Sequence, residues 1–102
     1  MAITSSANSF VAFPYANQTS LALDADTSLK VGRGYVATVN VLVAGSTAGF
    51  IHDAVNTTTD IGDSNKIAAI PNVLGTYTYN FPFLTGLAYI AGTDQVISIS
   101  FS

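Results

Sequence analysis

The chain has 102 residues, the size of one small domain. Only 9% of them are charged, 49% are apolar and the net charge is −3, which excludes a disordered chain and a nucleic-acid binder working through a basic face. Cysteine is absent and there is one histidine, so disulfides, thiolate chemistry and cysteine-ligated metals are excluded as well.

Polarity comes mainly from Ser, Thr and Asn, present ten, twelve and seven times. These residues suit turns, and Thr also suits strands. A surface so poor in charge lacks what usually keeps monomers apart. The composition therefore predicts a protein that works against copies of itself or against other proteins.

From Met1 to Ser6 there is neither a basic segment nor the start of an apolar core, so the beginning does not read as a secretory signal. Ser9–Phe13 and Thr19–Leu23 read as short strands separated by Pro14 and Asn17. Residues 1–28 are irregular in tone and are expected to form an N-terminal arm or edge strands, with residues 29–102 as the core of one domain. Phe10, Phe13 and Tyr15 are the arm's candidate interface residues.

Asp24-Ala25-Asp26-Thr27-Ser28 opens like a calcium loop, but Leu29 stands where a glycine is needed and Tyr35 where a bidentate Glu is needed. Whether Asp24 and Asp26, or Asp60 and Asp63 further on, hold a cation stays open; Asx turns are the expected use. Gly32-Arg33-Gly34 is a bend before a strand and not a phosphate loop, since no helix follows it. Arg33, the only arginine, is a candidate for a bidentate carboxylate contact across a subunit boundary.

Tyr35–Val43 alternates with period two. Tyr35, Ala37, Val39, Val41 and Val43 form one face, with Val36, Thr38, Asn40 and Leu42 on the other. The turn cluster 44–48 and the strand Gly49–Asp53 then predict a β-hairpin. The stretch Gly34–Ile51 is too short and too polar to span a bilayer, so no membrane partner is expected. His52 and Asp53 are adjacent on a strand and point to opposite faces, so they cannot pair with each other. Ser46 misses the nucleophile-elbow spacing. No catalytic residue, metal or cofactor is expected.

Ala54–Asn65 is the longest run without a pattern and predicts an exposed loop. Lys66–Ile70 is a strand stopped by Pro71. Thr76–Phe81 places Tyr77, Tyr79 and Phe81 on one face, which with Phe83 reads as a core face before a sugar-stacking platform. Gly86–Ile90 is a further strand, and Gln95–Phe101 closes with Ile97, Ile99 and Phe101 inward. Seven or eight short strands at this spacing predict an antiparallel β-sandwich, jelly-roll-like, with a closed barrel second.

The order of punctuation resembles a family of small structural proteins encoded among tailed-phage virion genes. It runs Lys30-Val31-Gly32-Arg33-Gly34, Gly49-Phe50-Ile51-His52-Asp53, Phe81-Pro82-Phe83 and Gly86-Leu87, then a Gly-Thr turn and an alternating last strand, spanning Leu29 to Phe101. It departs at His52, where the family pattern has tyrosine. The resemblance implies a non-enzymatic virion component on the capsid surface, a decoration or cement protein. Its expected partners are its own copies, as a homotrimer, and the major capsid protein. It also admits a tail or head-fibre component that attaches to a host glycan or receptor.

Overall fold

The computed structural model describes residues 17–59 and 61–102. Their eight strands are β1 Gln18–Leu23, β2 Thr27–Val31, β3 Gly34–Val43, β4 Gly49–His52, β5 Lys66–Ile70, β6 Gly75–Phe83, β7 Gly86–Ile90 and β8 Val96–Phe101, with one turn of 3-10 helix at Asp63–Asn65. One four-stranded sheet has the order β1-β8-β3-β6 and the other β2-β7-β4-β5. Every pair is antiparallel. The two sheets pack face to face as a β-sandwich.

The core follows from period-two alternation on both sheets. Val36, Val39, Val41, Phe83, Ile97, Ile99 and Phe101 come from the first sheet, and Ile51, Ile70, Leu87 and Tyr89 from the second. Fully burying a side chain of this kind stabilises the fold by about 1.5–3 kcal/mol relative to leaving it exposed. β8 keeps the alternation throughout, with Ile97, Ile99 and Phe101 buried between half-buried serines.

Elsewhere the alternation breaks at bulges. In β3 the register slips between Val36 and Thr38 and again between Val41 and Val43. Val36 is therefore buried with Val39 and Val41, whereas Tyr35 and Val43, expected on their face, are exposed. In β6, Tyr77 and Tyr79 pack against the core and Phe83 is buried, but Phe81 is 49% exposed. Pro82 lies inside β6, a position open to proline because β6 is an edge strand.

The expected hairpin of β3 and β4 does not form. Both edges of β3 are taken by β6 and β8, and both edges of β4 by β5 and β7. The short connection 44–48 instead crosses the gap between sheets, about 10 Å. The sequential pair that does form is β4 with β5, across residues 53–65.

Within the described part of 1–28, β1 and the start of β2 are edge strands, one on each sheet, and residue 28 falls inside β2. Ser9–Phe13, and with it Phe10, Phe13 and Tyr15, lies outside the described residues.

Candidate functional site

Strand direction sorts the connections into two ends. The β2–β3 bend, the β4–β5 connection and the β6–β7 turn share one end; the β1–β2, β3–β4, β5–β6 and β7–β8 connections share the other.

The first end is built on Asp53, which follows β4. Its carboxylate accepts from three successive backbone N–H groups, Leu84 at 2.9 Å, Thr85 at 2.7 Å and Gly86 at 3.2 Å. Burial pushes the carboxyl upward, but the three donors outweigh it and hold the group below the usual carboxylate range. The turn so fixed is bonded to the neighbouring bend, Gly32 N–H donating to Thr85 O at 2.8 Å. Gly32 has φ +101°, a conformation that glycine adopts without a Cβ clash.

These two turns present a set of apolar side chains to solvent. Leu84 is 74% exposed and Val31 73%, with Tyr35 and Phe81 exposed nearby. Arg33 sits exposed in the bend among them. It forms no ion pair among the described residues, where the one ion pair is Lys66 Nζ to Asp63 Oδ1 at 3.1 Å. Lys66 Nζ also lies 4.1 Å from the Phe50 ring centre.

At the opposite end, Leu42 and Val43 finish β3, and Val73 and Leu74 form the tip of the β5–β6 turn; all four are exposed. This end is also held by hydrogen bonds. Tyr77 Oη donates to Val73 O at 2.8 Å, Ser46 N–H to Thr93 O at 2.9 Å and Thr93 N–H to Thr47 Oγ1 at 2.8 Å. A Cβ on Gly92 would collide with Thr47 O, so the two loops meet backbone to backbone. Asp26 Oδ1 accepts from Ala91 N–H at 2.8 Å.

Other polar groups hold loops. His52 is buried, its Nδ1 3.2 Å from Asn65 Oδ1, so an imidazole there donates from Nδ1. The same Asn65 oxygen accepts from Gly62 N–H at 3.0 Å. Asn56 Oδ1 makes an Asx turn with Thr58 and Thr59. A shallow polar depression of about 260 Å³ is lined by Ile61, Gly62, Ser64 and Asn65. Among the described residues no three His, Asp or Glu side chains gather to hold a metal. Asp26 and Asp63 have the partners given above, and Asp60 lies outside the described residues.

Of the sequence-predicted interface residues, Arg33 is thus at the surface among exposed apolar neighbours. Asp53, Leu84 and Val31 were not predicted as part of this end. The available signal was a leucine at the tip of the Pro82–Gly86 turn, where polar residues are usual. Nothing in the sequence marks Asp53 as that turn's anchor, because the contact spans some thirty residues.

The fold and these ends define a small antiparallel β-sandwich with apolar caps. Comparisons with protein-family models, curated protein sequences and solved structures find no match to the chain.

Proposed function

We propose that this chain is a non-enzymatic structural protein of a tailed-phage virion. In this reading it oligomerises as a homotrimer and reinforces or decorates the capsid by binding the major capsid protein. The observation that carries the reading is the concentration of exposed apolar side chains at both ends of a chain with only 9% charged residues. Such patches mark protein contacts on a soluble surface.

Two further points support it. The pairing of β1 with β8, β2 with β7, β3 with β6 and β4 with β5, alternating between sheets, is one we read as a jelly roll. That architecture is common in viral shells, although it hosts other functions too. The sequence pattern from Lys30 to Phe101 adds the resemblance to phage virion proteins.

The test is quantitative densitometry of purified particles that encode the chain. A decoration protein gives a band comparable in copy number with the major capsid protein. A few copies per particle would move the assignment to a tail or fibre, and absence from the particle would end the virion reading.

A further inference from the structure

We infer that copies of this chain dock head to tail, the β7–β8 end of one against the β2–β3 end of the next. The inference rests on the proposed function in one respect only, that the chain assembles with itself.

The charges of the described residues are divided between the two ends. Lys30, Arg33 and Lys66, the only basic residues of the chain, all lie in or within two residues of the connections at the first end. Asp53, Asp60 and Asp63 all belong to the β4–β5 connection at that end and balance them, so its formal charge is zero. Lys66 is committed to Asp63, and Asp53 to three backbone N–H groups. Lys30 is half-buried in β2, and Arg33 is the exposed basic residue amid Val31, Tyr35 and Leu84. The opposite end carries Asp24, Asp26 and Asp94, three negative charges and no basic residue.

Both ends also present exposed aliphatic side chains, Val31 and Leu84 at one and Leu42, Val43, Val73 and Leu74 at the other. Each group stands on turns already fixed by hydrogen bonds, so little ordering is lost on contact. Apolar burial then supplies the attraction and charge selects the orientation. Two first ends facing each other would oppose Arg33 to Arg33. Two second ends would gather six aspartates. Only the head-to-tail arrangement places Arg33 opposite Asp94, in the turn beside Gly45 and Val43. Such a contact is heterologous: it closes into a ring when the rotation between copies divides a full turn, and otherwise extends as a fibre.

Sedimentation velocity of the full chain across a concentration series tests this, with no virion present. The variants are Arg33→Asp, Asp94→Arg, the two combined, and Leu84→Ser. All three positions are exposed, and thermal melting of each variant checks that folding is unchanged. The wild type is expected to self-associate. Each single charge reversal weakens association about tenfold or more, and the double reversal restores it to within about threefold. Leu84→Ser weakens it about tenfold. A double variant as weak as the singles would overturn the head-to-tail orientation. A wild type that stays monomeric, with association appearing only after deletion of residues 1–15, would assign the first end to the chain's own N-terminal segment and also overturn the inference. Rescue by the double reversal, in a protein that purified particles lack, would leave this contact standing and remove only the virion reading.

Discussion

Asp53 ties β4 to a turn some thirty residues away, and its ionisation state follows from that contact. The three N–H donors favour the carboxylate and hold its pKa below the ordinary value, which is about 3.9. The resulting stability is complete above that value and is lost as pH falls through the lower, folded value. The wild type should therefore lose stability more steeply than Asp53→Asn as pH falls below about 4, measured by urea denaturation at each pH. A second polar residue works deeper inside. Gln95 is fully buried; it accepts from Tyr89 Oη at 2.9 Å and donates through Nε2 to Pro71 O at 3.1 Å. Replacing it by Ala removes the buried acceptor of the Tyr89 hydroxyl, and the expected loss is about 1–3 kcal/mol in the same measurement. Burial pushes the Tyr89 phenol up to about 12. The fold's preference for the neutral phenol is complete below its ordinary value near 10 and is lost as pH rises towards 12.

Strand by strand, alternation predicts where the chain is extended more securely than which side chain is inside. β1 shows why. Between Ser20 and Leu23 its register against β8 slips by one residue, and Ala22 takes φ +54° to absorb the extra position. Leu23 packs against the core while Leu21, which strict alternation places on the same face, is 73% exposed. A left-handed alanine costs about 1–2 kcal/mol, against about 0.4–1 kcal/mol of added unfolded-state entropy for glycine. Ala22→Gly is thus expected to stabilise the protein by about 0.5 kcal/mol, checked by thermal or urea denaturation. Had Ala22 been followed by a regular ladder, glycine would instead destabilise. The β3–β4 connection failed as a hairpin for a similar reason: five turn residues serve a crossing as well as a reversal, and only the occupancy of both edges of β3 decides between them.

Taken as a whole, the molecule has too few charges for an electrostatic attachment. An exposed ion pair contributes about 0.2–1 kcal/mol, so the three basic residues together supply about 3 kcal/mol at most. A stable contact buries about 800 Å² on each partner. Apolar burial should therefore dominate, and occupancy on particles is expected to change little between low salt and about 0.5 M salt, where screening is nearly complete beyond about 5 Å. Release by salt alone, read in a pelleting assay, would point to Lys30, Arg33 and the aspartates as the main contacts. The N-terminal arm, with Phe10, Phe13 and Tyr15 as its sequence-predicted interface residues, is tested separately. Deleting residues 1–15 should abolish particle binding and leave the sandwich folded, since the described core draws on β1 to β8; wild-type occupancy of the truncated protein would refute that role.

The all-β sandwich is legible in the amino-acid order, because short alternating segments separated by Gly, Pro and Asn admit no helix of useful length. The same order gives most strand positions and the inward set Val39, Val41, Ile97, Ile99 and Phe101, for which local period two is sufficient information. It also places Arg33 in a glycine bend and offers it as an interface residue. Which strands pair, where bulges shift the register and what Asp53, Gln95 and Asp26 hold emerge with the packed sandwich, because those contacts mostly join residues far apart in the chain or depend on which edges are already occupied. The division of charge between the two ends belongs to the same class. Lys30, Arg33 and Lys66 share an end, as do Asp24, Asp26 and Asp94, only once the chain has reversed direction at every strand.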